Sequence, residues 1–260
     1  MWRNIVIVKD NERTKEAGHW YDRSGVPTYT VIGKNGKERN TTLRDARTMN
    51  LVPSVSGIIK VAASPGLEVW KMQQMMLAVL TLPKVDGETE EQYIERIIAD
   101  SKETGKNAAA RGTAIHASVQ CYFEGVVDVQ YQNHAKAVEK ALNAHFGERP
   151  WECEKSFAHR IGFGGKTDMI DMMNDGIIID IKTKEFTEPS KVVAYDEHLM
   201  QLAAYRTGFL LSNARCANAF VSVQEPVQVV IKEWTQQELD RGWAMFSSLL
   251  RFWQVKNNYE

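Results

Sequence analysis

Between positions 177 and 182 the chain reads Ile-Ile-Ile-Asp-Ile-Lys. An almost wholly apolar run bounded by turn formers is the mark of a strand covered on both faces. Side chains alternate along a strand, so Asp180 and Lys182 project to one side and Ile177, Ile179 and Ile181 to the other. Two charges inside such a strand are costly unless they compensate each other or a metal ion compensates them.

The segments around this strand give its setting. Glu152–His159, Gly165–Met173 and Ile177–Lys184 read as consecutive strands, the last two joined at Asn174-Asp175-Gly176. A helix is predicted over Lys191–Leu211, then strands Ala217–Val223 and Val227–Glu233, then a C-terminal helix opened by the capping box of Thr235 and Glu238. Upstream, Thr89 and Gln92 form a second capping box. A loop at Gly105 is predicted to separate that helix from another over Asn107–Phe123, with a further helix from Tyr131 to Phe146. The run Leu67–Leu80, with Trp70, Met72, Met75, Met76 and Leu77, is apolar enough to predict a buried helix. Short strands at Ile5–Val8 and Tyr29–Ile32, with a turn at 33–36, suggest a β-rich N-terminal appendage over residues 1–50, followed by one compact domain over 51–260 with its core at about 107–234. The order describes an α/β fold, a mixed central sheet flanked by helices with an N-terminal β-hairpin and helical elaborations.

Composition excludes some classes. A formal charge of −1 over 260 residues removes bulk basicity as an argument for a polyanion partner, leaving local patches and metal ions. Cys121, Cys153 and Cys216 lie far apart without a C-x-x-C pair, against a thiolate zinc site or iron–sulfur cluster. With no apolar stretch long enough to span a bilayer and no signal peptide opening the chain, a soluble cytoplasmic protein is expected.

Asp-x-Lys alone occurs about once by chance in a chain this long, and then marks a surface ion pair. Asp168 adds weight to it. If residues 174–176 form a three-residue hairpin loop, Asp168 falls opposite Lys182 on the face of Asp180; a two-residue loop would bring Asp171 opposite Asp180 and turn Asp168 away. Spacing leaves both registers open.

Four further motifs occur in order: Arg111-Gly112-Thr113-Ala114-Ile115-His116, Gly165-Lys166-Thr167-Asp168, Asp180-Ile181-Lys182-Thr183 and Gln201-Leu202-Ala203-Ala204-Tyr205. This series resembles the PD-(D/E)XK nuclease superfamily, and within it the RecB-like exonucleases. Pro53-Ser54-Val55 with Leu67 and Trp70 is similar to the region before the core in phage-encoded members. Relatives with an iron–sulfur cluster carry four cysteines around the core, so the resemblance is to the cluster-free type.

The resemblance implies a restriction-endonuclease-like core and a metal-dependent DNA exonuclease acting in recombination, replication or repair. It assigns Asp168, Asp180 and Lys182 to catalysis, and His116, Asp168, Asp180 and the carbonyl of Ile181 to Mg²⁺ or Mn²⁺. Hard carboxylate oxygens suit those ions. Glu154 is a candidate for a second ion, and Arg111, Thr183, Gln201 and Tyr205 for DNA contact. A single-strand annealing or recombination protein is an implied partner, and a host-cell cytoplasm the implied setting. Read alone, His116 is a structural helix residue and Gln201 with Tyr205 a polar helix edge; their place in the series is what makes them candidates. Gly112 predicts close approach of helix and sheet. The glycines at 162–165 open no helix, so they read as easing a bent strand rather than as a phosphate loop. Lys34, Lys37, Arg39, Arg44 and Arg47 form a basic stretch, either a phosphate-binding arm or a solvated surface. The rival readings are a restriction-type endonuclease with the same chemistry and a DNA-binding module that does not cleave.

Overall fold

The structure, a computed structural model, describes residues 19–62, 64–126 and 130–259; the expected strand at Ile5–Val8 lies outside them. The elements run β1 (Trp20–Tyr21), β2 (Thr30–Ile32), β3 (Glu38–Asn40), α1 (Leu43–Met49), β4 (Val52–Pro53), α2 (Val55–Ile59), α3 (Pro65–Thr81), α4 (Glu90–Phe123) and α5 (Gln132–Phe146). They continue with β5 (Glu152–Cys153), β6 (Ser156–His159), β7 (Phe163–Lys166), β8 (Met169–Asp171), β9 (Ile177–Lys184), α6 (Asp196–Gly208), β10 (Arg215–Ser222), β11 (Val229–Trp234) and α7 (Gln236–Asn257).

Two compact units emerge, residues 64–111 forming one and residues 19–62 with 112–259 the other. These divisions fall at other positions than the boundary at residue 50 read from the sequence.

The larger unit is built on a five-stranded sheet in the order β11-β10-β9-β8-β5, with β9 and β10 parallel and the other pairs antiparallel. Alternation along β9 divides its side chains as expected. Ile177, Ile179 and Ile181 pack with Ile115 and Val119 of α4 and with Val138 and Leu142 of α5. Ile178 packs on the opposite face with Ile170 and with Leu199, Leu202, Phe246 and Leu250 of α6 and α7. The fold is α/β, a mixed sheet with helices on both faces.

Residues 19–62 join this unit. β1 pairs with β4, and Trp20 packs edge-on to Trp253 at 6.0 Å and beside Tyr259 at 5.8 Å. The expected N-terminal hairpin is present as β2 and β3. The capping boxes at Thr89–Gln92 and Thr235–Glu238 are both formed.

In the smaller unit two expectations are corrected. Gly105 does not break the chain into two helices, since α4 runs unbroken through it. A helical glycine costs about 1 kcal/mol against alanine, too little to end a helix of this length, and the Trp70 ring lies in ordinary contact 3.5 Å from where a Cβ would sit. The run Leu67–Leu80 is helical but not buried: Ala78 is its buried residue, while Met72, Met76, Leu77 and Leu80 are exposed. A helix apolar nearly all round needs neighbours on every side, and the described part of this unit contains one other helical segment. Among the described residues no helix is long and apolar enough to cross a membrane.

Candidate active site

β7 and β8 are one run of sequence broken at Thr167 and Asp168. Thr167 turns inward and donates its hydroxyl to the Ile179 carbonyl at 3.2 Å. Asp168 keeps its carbonyl on the Glu154 N–H at 3.1 Å and turns its carboxylate to β9, where Oδ2 accepts the backbone N–H of Ile181 at 2.6 Å. Its other oxygen lies 3.4 Å from Nδ1 of His116 on α4. One carboxylate thus ties the open end of β8 to β9 and to a helix.

The hairpin register is neither of the two read from the sequence. Asp171 pairs with Ile177 and Met169 with Ile179, so residues 172–176 form the loop and Asp168 comes level with Asp180. Asp171 causes this, because its side chain accepts the Met173 N–H at 2.8 Å and begins the turn directly after itself. The shift from the three-residue case is by two positions. Side-chain direction has period two, so Asp168 keeps the face of Asp180 and Lys182.

Asp180 is 2% exposed. Lys182 Nζ lies 3.0 Å from its Oδ1 and 2.9 Å from its Oδ2, and donates to Gln201 Oε1 at 3.0 Å. Gln201 Nε2 donates to the Tyr205 hydroxyl at 2.8 Å, the two being one helical turn apart on α6. Tyr205 is itself buried and edge-on to Phe157 at 5.9 Å. It therefore stands behind Gln201, as the acceptor of its amide. His198, one turn before Gln201, accepts the Tyr195 N–H at the start of α6.

Two partners were not singled out from the sequence. Asn218 on β10 donates to Asp180 Oδ2 at 2.7 Å, and Trp234 on β11 donates its indole N–H to Asn218 Oδ1 at 2.8 Å. A signal existed: an asparagine inside the apolar strand Ala217–Val223 has to find partners when buried.

The charges are interdependent. Burial raises the pKa of Asp180, and Asp168 adds to the rise while Lys182 opposes it, for a net increase. Burial also acts against ionised Asp168, but His116, Lys182 and the Ile181 N–H hold its pKa below the usual carboxylate range. Lys182 is disfavoured as a cation by burial, yet Asp180 and Asp168 outweigh this and raise its pKa, keeping it protonated. In His116, likewise, burial opposes the charge and Asp168 overrides it. His198 is pushed down to about 4 by burial, then by Lys182 and Lys184, so its ring is neutral near pH 7.

The remaining candidates divide. Gly112 on α4 sits against β9, where a Cβ would come within 2.8 Å of Thr183 Oγ1. Thr183 thus faces the helix. The Ile181 side chain is buried on the far face. Glu154, in a left-handed backbone conformation with φ 55°, donates its backbone N–H to the Asp168 carbonyl at 3.1 Å and pairs its carboxylate with Lys166. Arg111 is exposed and belongs to the smaller unit. In the basic stretch, Arg39 is held by Asp45 at 2.6 and 2.8 Å and Arg47 by the Asn257 carbonyl. The glycines of 162–165 serve packing: a Cβ on Gly165 would meet Tyr205 at 2.7 Å.

Among the described residues no three or more His, Cys, Asp or Glu side chains form a ready metal cage. Asp180 turns its oxygens to Lys182 and Asn218, and Asp168 gives one to Ile181. The donor types still suit a hard divalent cation: two carboxylates brought level on neighbouring strands, with an imidazole 3.4 Å from one of them. A buried carboxylate whose pKa is raised by burial is also a group that added positive charge would stabilise.

The model of the PD-(D/E)XK nuclease superfamily matches residues 135–242. No curated protein matches the chain. Solved structures that resemble it include SSO0001 (17% identity, 70% of this chain and 86% of that one, TM-score 0.33), a protein of Eubacterium rectale assigned by inference as an exonuclease (15%, 58% and 69%, 0.40), and an alkaline exonuclease of Laribacter hongkongensis (14%, 73% and 97%, 0.34).

Proposed function

We propose, from the match of residues 135–242 to the PD-(D/E)XK nuclease superfamily model, that the chain is a divalent-metal-dependent deoxyribonuclease of the RecB-like exonuclease type, hydrolysing phosphodiester bonds. The observation that carries this reading is the convergence of Asp168, Asp180 and Lys182 on one sheet face, with His116 at 3.4 Å from Asp168. A bare binding module has no use for two carboxylates and an ammonium at such desolvation cost.

Asp168, Asp180 and His116 would hold Mg²⁺ or Mn²⁺, with the Ile181 carbonyl a further oxygen donor; the ion would neutralise charge at the scissile phosphate and acidify a water molecule. In hydrolysis a water oxygen bonds to phosphorus, one P–O ester bond breaks, the water gives up a proton to solvent and the leaving oxygen takes one from solvent. Lys182, beside Asp180, would orient the water and offset negative charge. Gln201 and Tyr205 fix the direction of its ammonium. Asn218 and Trp234 do the same for the Asp180 carboxylate. Glu154, released from Lys166, would be an additional carboxylate beside the site, and Arg111 and Thr183 candidates for phosphate contact. Action in recombination, replication or repair beside an annealing protein, in a host cytoplasm, rests on the likeness of the motif series to phage-encoded members.

The test is digestion of end-labelled linear DNA and covalently closed circular DNA in Mg²⁺, Mn²⁺ or EDTA, with wild type beside Lys182→Ala. Metal-dependent shortening of linear DNA, lost in the variant and absent on circles, is expected. Cleavage of circles would replace the exonuclease by an endonuclease, and no cleavage of any nucleic acid would leave a binding module.

A further inference from the structure

The N-terminal segment of the larger unit has no part in the chemistry above, yet it is fastened to the strand that leads into Asp168. The His19 carbonyl accepts the Ser54 N–H at 2.9 Å, and Ser54 bridges to Gly164 on β7. Tyr21 lies so close to Gly164 that a Cβ there would come within 2.9 Å of its ring. The Tyr21 and Tyr29 hydroxyls are hydrogen-bonded at 2.8 Å, and Gly165, next along β7, lies against the Tyr205 ring. This packing carries a stacked pair outward. The rings of His19 and Tyr29 lie 4.5 Å apart at 24°, with His19 exposed and Tyr29 half-buried.

A stacked pair at a surface is commonly packing, but here the pair is left open. Among the described residues no hydrogen bond uses the His19 ring. Burial, and then the charges of Lys60 and Lys166, lower its pKa, so it is a neutral aromatic ring near pH 7 set in a positive field. Lys166 is engaged by Glu154. Lys60 is exposed at the end of α2 and forms no ion pair among the described residues. An exposed stacked ring in the field of an exposed, unpaired lysine is what an unstacked nucleotide requires, the ring taking the base and the cation the phosphate.

We infer that the exposed His19–Tyr29 stack and Lys60 form a single-stranded DNA platform that grips the substrate strand beside the active site. The inference rests on the deoxyribonuclease reading and gives it a substrate form, a strand whose bases are already unpaired near the cleavage point. Tyr29 acts by stacking and Tyr21 by holding Tyr29 in place.

The experiment measures fluorescence anisotropy of labelled oligothymidylate in EDTA over a range of salt, with melting temperature and metal-dependent cleavage recorded for every protein. His19→Ala and Tyr29→Leu should each weaken binding about tenfold, and Tyr29→Phe, which keeps the ring, should stay within about twofold of wild type. Lys60→Ala should flatten the salt dependence by about 0.7 in log–log slope, one phosphate contact on a single strand. In cleavage the same changes should raise KM more than they lower kcat. Wild-type affinity in His19→Ala and Tyr29→Leu proteins that melt as wild type would overturn the platform and leave the nuclease intact. A wild-type protein that neither binds nor cleaves DNA would overturn both.

Discussion

Asn218 and Asp180 face each other across the parallel pair of β10 and β9, with the asparagine amide 2.7 Å from the carboxylate and Trp234 securing the amide from the next strand. The carboxylate is therefore oriented from outside the motif that contains it. Replacing Asn218 by leucine should raise the Mg²⁺ or Mn²⁺ concentration for half-maximal cleavage by about 10–100-fold. It should also cost about 1–3 kcal/mol of stability, through the stranded Trp234 N–H. Metal titrations of cleavage and chemical denaturation measure the two effects, and an unchanged metal requirement would remove Asn218 from the site.

Gly112 offers a test in which two effects have opposite sign. In a free helix Gly→Ala is stabilising by about 1 kcal/mol. At Gly112 the new methyl would lie 2.8 Å from Thr183 Oγ1, so the helix or β9 must move. Gly112→Ala should lower stability by about 1–3 kcal/mol, and Thr183→Ala in the same chain should recover much of it. Thermal melts of both single variants and the double variant decide the matter; additive losses would mean that the contact is not the cause.

Tyr205 predicts a coupling rather than a contact. Tyr205→Phe removes the acceptor that holds Gln201 and loosens the partner of Lys182. The expected result is a fall of about fivefold in kcat, about 1 kcal/mol in barrier, with KM little changed. Gln201→Leu should lower kcat at least as far, and the double variant should be no worse than Gln201→Leu alone. Fully additive losses would show that Tyr205 acts independently.

Acid stability should depend on Glu233. Hydrogen bonding by Arg215, at 2.7 and 2.8 Å, lowers the Glu233 pKa to about 2 against the opposing effect of burial, with His145 contributing further. A carboxylate whose folded pKa lies below its unfolded one stabilises the fold above the unfolded value, 4.5, and loses that contribution as pH falls toward 2. The pair is partly open to solvent, so the contribution is about 1 kcal/mol. Denaturation of Glu233→Gln beside wild type should show the full difference at pH 6 and a shrinking one below pH 4. A gap that does not narrow would place the effect elsewhere.

What the amino-acid order determined by itself is local and periodic. Alternation in 177–182 set which β9 side chains face which layer, the capping boxes at Thr89 and Thr235 marked their helices, and the ordered motifs named the residues that meet at the site. Each of these depends on neighbours within a few positions, where backbone geometry alone decides direction. The register of β8 on β9 was beyond such reading. It turned on a side-chain bond from Asp171 to Met173 that competes with the turn formers at 174–176.

The other outcomes belong to the tertiary structure, because they depend on what lies across a gap in sequence. The apolar faces of α3 are exposed because burial needs partners, and an apolar run does not state how many it will meet. Asn218 and Trp234 reach Asp180 because parallel pairing sets position 218 beside 180, and Tyr205 is a support behind Gln201 because α6 packs that edge against Phe157. Hydrogen bonds between buried groups reward proximity in space, which the chain acquires only on folding.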